Sequence, residues 1–146
     1  MNRTSFSDTN KQIGKTASVG FQVGVRRTFP IPQEQAWEML TSSEGLTLWL
    51  GNSPSVQLEV GHSYQSDDGI SGQFRVVKPY QQLRLTWQKK GWERPSTLQI
   101  RFLSSKPDKT TISFHQENLA DSPIREQMKL HWEDVLLTLQ QKIIGP

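Results

Sequence analysis

The 146-residue chain contains no cysteine. That excludes a disulfide framework, a thiolate zinc site and a thiol nucleophile, and it suits a reducing cytoplasm. No apolar run approaches the roughly 18 residues of a membrane span. The opening residues, MNRTSFSDTNKQIGK, hold no apolar core for a signal peptide. A cytoplasmic protein without a membrane span is therefore expected. Neither sign of charge dominates: the formal net charge is +3 and the pI about 9.3. The cations are scattered along the chain, so no nucleic-acid partner is expected.

Catalytic signatures are missing too. The sequence has no GxxxxGK[ST] or GxGxxG phosphate loop, no HExxH and no GxSxG elbow. Its three histidines, His62, His115 and His131, are far apart. Neither a metal site nor a cofactor is expected. No pair of titratable residues compels a reaction, so a non-catalytic role is expected ahead of a cavity-based enzyme, and no catalytic residue is assigned.

What is present is a polar lead-in, residues 1–17, and then one domain, residues 18–146. Hydrophobic residues make up 34% of the chain and charged ones 21%, enough for one core. Residues 18–29 alternate, with Phe21, Val23 and Val25 on one face of a strand. Pro32 fits the first turn of a helix carrying Ala36, Trp37 and Leu40. Thr41 and Glu44 have capping-box spacing and open a second short helix with Leu46, Leu48, Trp49 and Leu50. Gly51 is placed to end it.

Strands follow. Val56, Leu58 and Val60 alternate; Gly61-His62 and Asp67-Asp68-Gly69 are turns. Phe74 and Val76 share the face of one strand, Leu83, Leu85 and Trp87 of the next, Leu98, Ile100 and Phe102 of a third, Ile112 and Phe114 of a fourth. One apolar and one polar face per strand means an antiparallel sheet covered on one side. The cover comes last. Ser122 is a candidate N-cap before Pro123, and Ile124, Met128, Trp132, Val135, Leu139 and Ile143 recur every three or four residues. That helix would be about 33 Å long. The fold class expected is α+β: a curved antiparallel sheet of about six to seven strands, two short helices after the first strand, and a long C-terminal helix across the concave face.

Three stretches carry a family resemblance: RTFPIPQEQAWEMLTSSEGLTLWLG (27–51), GQFRVVKPYQQLRLTW (72–87) and ISFHQENLADSPIREQMKLHWEDVLL (112–137). In order and spacing they resemble the helix-grip, or START-like (SRPBCC), superfamily. Within it they are most similar to the group named for the C-terminal domain of the activator of Hsp90 ATPase. The segment GWERPSTLQ (91–99) resembles a bacterial subgroup of it, some members of which carry an extra N-terminal domain.

Two functions follow as expectations. Members of the superfamily commonly hold lipids or other hydrophobic molecules between sheet and helix. The resemblance therefore implies a ligand site lined by Trp37, Trp49, Tyr64, Phe74, Trp87, Trp92, Phe102, Phe114, Trp132 and Leu136, with His115 as a polar candidate. Each of these aromatics has a simpler account as core, because a sheet–helix interior needs large side chains. His115 has the parity of the outer face and reaches inward through a bulge or an inverted sheet face. The outer face is also expected for Arg75 and Arg101. Arg27 is expected as a structural anchor and His131 at a rim, bonded to backbone. The alternative function, implied by the group's name, is a module that meets a chaperone partner through Lys89, Lys90, Arg94 and Arg101. Trp92, in the loop after TWQKKG, is open between a lid over a pocket and a plug.

Overall fold

The alternating segments pair into one antiparallel sheet because each has a single apolar face to bury. A computed structural model describes residues 15–16, 20–52 and 56–144; the rest of the polar lead-in lies outside them. The strands are β1 (Lys15–Thr16), β2 (Gly20–Phe29), β3 (Ser63–Gln65), β4 (Ile70–Lys78), β5 (Gln82–Lys89), β6 (Ser96–Lys106) and β7 (Lys109–Leu119). Their order across the sheet is β1-β2-β7-β6-β5-β4-β3. The helices α1 (Gln33–Thr41) and α2 (Ser43–Trp49) follow β2, and α3 (Ser122–Ile144) follows β7. This is the α+β helix-grip architecture expected from the pattern.

Phe21, Val23, Leu83, Leu85, Trp87, Leu98, Ile100, Phe102, Ile112 and Phe114 are all buried on the sheet side. Met128, Trp132, Val135, Leu136 and Leu139 of α3 cover them. The helix is held at several points along its length. Arg125 donates to the Gln22 carbonyl at 2.8 Å. Farther on, the Arg27 guanidinium donates to the Gln140 side chain, which is the anchoring role expected of Arg27.

Four local expectations are corrected. The alternation Val56, Leu58, Val60 is not a strand. The chain turns at residues 59–62, where the His62 N–H donates to the Glu59 carbonyl at 3.0 Å, and Val60 is 65% exposed. Only Val56 and Leu58 rest on the core. In β4 a bulge between Phe74 and Val76 shifts the register against β5. Parity flips there, so Val77, not Val76, packs with Phe74 on the core.

The remaining two concern helix starts. Ser42, not Thr41, caps α2, its hydroxyl accepting from the Gly45 N–H at 3.1 Å. Thr41 instead donates to the Trp37 carbonyl at 2.7 Å within α1. Asp121, not Ser122, caps α3, accepting from the Ile124 N–H at 2.9 Å. In both cases the cap is one residue from the expected position, because the loop geometry chooses among adjacent Ser, Thr and Asp candidates.

One glycine carries a packing constraint. A Cβ at Gly72 would lie 1.8 Å from the Thr86 carbonyl oxygen and 2.6 Å from the Tyr64 hydroxyl. The Tyr64 hydroxyl crosses β4 at this point and donates to the same Thr86 oxygen at 2.7 Å. Gly72→Ala is expected to cost about 3 kcal/mol, the upper range for forced overpacking, read as a lowered urea midpoint with unchanged m. A wild-type midpoint would show that β4 moves aside freely.

Candidate functional site

The aromatic side chains meet on the concave side in three groups. The central one joins sheet, helix and loop. Phe114 on β7 stacks on Trp132 of α3, with ring centroids 4.9 Å apart and planes 15° apart. The Trp132 ring lies edge-on to Trp87 at 5.5 Å. Trp92, in the loop after β5, lies 5.5 Å from Trp87 on the other side. A second group joins Trp37 to Phe102 at 5.3 Å and to Tyr80 at 6.1 Å. The third is Tyr64 against Phe74 at 5.6 Å.

The buried indole N–H groups are satisfied within the protein. Trp132 Nε1 donates to Gln116 Oε1 at 2.8 Å. Gln116 Nε2 donates to Ser96 Oγ at 2.8 Å, and that hydroxyl donates to the Trp87 carbonyl at 2.5 Å. Trp87 Nε1 donates to the Trp49 carbonyl at 2.9 Å, and Trp49 Nε1 to the Leu40 carbonyl at 2.9 Å. One run of bonds therefore ties β7, β6, β5, α2 and α1 together around the tryptophans. Such bonds matter chiefly because leaving a buried donor unmade costs about 1–3 kcal/mol.

Of the eleven candidate residues, Trp37, Trp49, Tyr64, Phe74, Trp87, Phe102, Phe114, Trp132 and Leu136 are all buried in the core. Trp92 is half-buried at its edge. His115 stands apart. Its neighbours Phe114 and Gln116 face inward, so it projects from the opposite face, where its Nε2 pairs with Gln22 Oε1 at 3.0 Å. Arg75 and Arg101 are exposed.

Two features escaped the sequence reading. Gln116 and Ser96 are buried polar side chains. Parity would have found them, since Gln116 continues Ile112 and Phe114, and Ser96 precedes Leu98 and Ile100. His131 is half-buried, as a rim position requires, but it is not bonded to backbone. Its ring lies 4.6 Å from that of Trp132 and 6.2 Å from that of Trp87. Its Nε2 is buried with no hydrogen-bond partner among the described residues. Burial lowers its pKa, helped by the nearby Lys89 charge and opposed by Asp134. The Tyr64 hydroxyl is shifted the other way, far above its usual range, by burial.

Two surface depressions share Gly91 and Trp92. One, of about 630 Å³, runs from Gln65 and Asp67 to Lys89 and Lys90. The other, about 290 Å³, lies between Arg94, Asn118 and Ile124. Among the described residues, no group of three or more His, Asp or Glu could hold a metal ion, and no helix is long and apolar enough to cross a membrane.

A twisted antiparallel sheet gripped by one long helix, with an aromatic interior and depressions at the Trp92 end, defines a helix-grip α+β domain. The sequence matches the family model "Activator of Hsp90 ATPase homolog 1-like protein" over residues 30–143. The chain belongs to that family. No curated protein matches it. Its fold is similar to that of CalU16 from Micromonospora echinospora, with TM-score 0.72, 20% identity, and coverage of 84% of this chain and 73% of that one. It is similar also to PFC0360w, described as an HSP90 activator from Plasmodium falciparum, with TM-score 0.72, 21% identity, and coverage of 85% and 96%. For the Aha1 dimer from Colwellia psychrerythraea the TM-score is 0.69 and the identity 15%, with 84% and 95% covered. At these identities the likeness is one of fold.

His131 makes stability depend on pH. Its folded pKa is lowered, so the unfolded chain takes up a proton that the folded protein resists. The stability it contributes is present above the ordinary histidine pKa of about 6.5 and is lost as pH falls through the lowered folded value. Urea midpoints are expected to fall between about pH 7.5 and pH 5, and His131→Phe, which keeps a ring against Trp132, is expected to flatten that fall. An identical pH slope in the variant would remove His131 as its source.

Proposed function

We propose that this is a non-catalytic, cytoplasmic binding domain that takes up a small apolar or amphipathic molecule beneath Trp92, between the β5–β6 loop and α3. The observation that carries the reading is Trp92. It alone of the five tryptophans is only half-buried, and it lies on Trp87, the outer end of the Trp87–Trp132–Phe114 series.

Magnitudes favour entry at that point. A fully buried aromatic side chain removes about 150–250 Å² from water, or about 4–6 kcal/mol. Displacing Trp132 or Trp87 would forfeit that, together with their hydrogen bonds. Displacing Trp92 forfeits only part of it, and a ligand ring or chain on Trp87 would restore the contact. Few convergent polar groups at an apolar wall are the usual make-up of a small-molecule site. Family membership supports the reading, since the superfamily resemblance implies ligands between sheet and helix.

The expected result of a thermal-shift screen with fatty acids and aromatic compounds is a raised Tm with a subset of them, and a ligand-bearing mass for gently purified protein in native mass spectrometry. Trp92→Ala, which removes the ring that the ligand displaces from Trp87, is expected to tighten binding by about 1 kcal/mol while the fold persists. No shift with any compound, together with the bare mass alone, would overturn the reading.

A second reading is favoured by the family itself. The similar Plasmodium falciparum protein is described as an HSP90 activator, and Lys90, Arg94 and Arg101 are exposed here. A basic surface of this kind would meet an acidic chaperone face, with salt-sensitive affinity. Retention of the host's Hsp90-type chaperone on immobilised protein at low salt, reduced by Lys90→Glu with Arg94→Glu, is the expected outcome of this second reading. No retention at low salt would end it.

A further inference from the structure

We propose that the outer face of α3 is an interface for a second copy of this chain, whose own α3 lies on it antiparallel with Leu137 at the two-fold axis. This surface is separate from the ligand site, which lies on the sheet side of the helix.

The helix carries an apolar stripe that its own fold does not bury. Met128, Trp132, Val135, Leu136 and Leu139 of α3 are buried and face the sheet. At about 100° per residue, the opposite side holds Leu130, Leu137 and Ile144, which are 67%, 43% and 69% exposed. Single exposed apolar residues are ordinary. These three are seven positions apart, so they form one line with about 10.5 Å between successive members. They are half of the six large apolar residues exposed among the described residues.

The stripe reads alike from both ends, and that favours a second copy. A two-fold contact must be self-complementary. With Leu137 on the axis of an antiparallel pair, positions about equally far before and after it face each other. Leu130 then meets the partner's Ile144, and Leu137 the partner's Leu137. Glu133 lies nearest the partner's Gln140 along one edge of the seam, and Asp134 nearest the partner's Gln141 along the other. Each is a carboxylate opposite an amide that can donate. Gln140 keeps its amide N–H groups for this, because Arg27 takes only its oxygen.

Charge also sets the direction. Glu126, Glu133 and Asp134 are all exposed, and a parallel copy would place each against its own counterpart, which like charges oppose. No cation on this face offsets them. Lys129 lies about 100° round from Leu130, and Lys142 Nζ is 3.6 Å from Glu44 of α2. The antiparallel copy keeps the acids apart. One helix pair buries less than the roughly 1,200–2,000 Å² of a stable complex, so the dimer is expected to be weak, with a Kd on the order of 100 μM.

Sedimentation velocity of the full chain from about 5 μM to about 1 mM tests this. The mean mass is expected to rise with concentration from 16.7 kDa toward twice that value. Leu137→Glu, which sets two carboxylates at the axis, should weaken association at least about tenfold with an unchanged far-UV spectrum. The chain has no cysteine, so introduced ones report the register. Under air oxidation with copper phenanthroline, Leu137→Cys should give a disulfide-linked dimer with itself. Leu130→Cys and Ile144→Cys should do so only when mixed with each other. The wild-type mass and the cysteine variants remain informative even if Leu137→Glu folds poorly. A constant monomer mass at every concentration would overturn the proposal, leaving the stripe to the chain's own lead-in or to solvent. A dimer that a folded Leu137→Glu leaves unweakened would overturn the site. Equal self-linking of all three cysteine variants would overturn the antiparallel arrangement.

Discussion

The structure hangs on Trp132. Its ring stacks on Phe114 of the sheet, its edge meets Trp87, and its N–H is held by Gln116. A long helix laid on a sheet can slide, because apolar contact is nearly indifferent to register. A hydrogen bond from a buried indole to a buried amide is not. Gln116 is itself held by Ser96, whose hydroxyl is held by the Trp87 carbonyl. The helix position is therefore read off the sheet through directed bonds, and the apolar stripe of α3 supplies the bulk of the burial around them.

The same bonds define where the domain is firm and where it yields. Trp49, Trp87 and Trp132 are each both packed and bonded. Trp92 is packed on one side only. Its loop is joined back to β5 by the Trp92 N–H to the Lys89 carbonyl and by Gln88 Nε2 to the Trp92 carbonyl, so the loop is attached while its ring is only partly enclosed. A binding function placed there uses a boundary that the core does not need for its own stability. His131 lies just inside that boundary, with a nitrogen that the fold leaves without a partner.

Much of the architecture was legible in the residues. Period-2 alternation located β2 and β4 to β7, and the three-and-four spacing of Ile124, Met128, Trp132, Val135 and Leu139 located α3. The candidates from Trp37 to Leu136 were legible as inward-facing residues, but not as filling or as lining, since one large apolar side chain serves both. The misses came where a local pattern had several solutions. Val56, Leu58 and Val60 alternate like a strand, yet the chain turns before it meets a partner. Val76 changed sides because a bulge adds one residue to β4, which no periodicity reports. The caps moved by one residue among chemically equivalent hydroxyls and carboxylates. His131 was read from helical position alone, and a ring beside it, Trp87 of β5, is 44 positions away in sequence but adjacent in space.

The sequence by itself determined the α+β class, the strand faces and the amphipathic grip helix, because these follow from backbone periods and from the need to bury apolar area. It determined too the lack of thiol chemistry and of phosphate-loop motifs. Tertiary structure decided the rest. Which tryptophan stays half-covered, which rings flank His131, and which polar side chains hold the helix in register depend on contacts between β5, β7 and α3. Those contacts arise only when the sheet closes under the helix, since no local rule relates positions 87, 116 and 132.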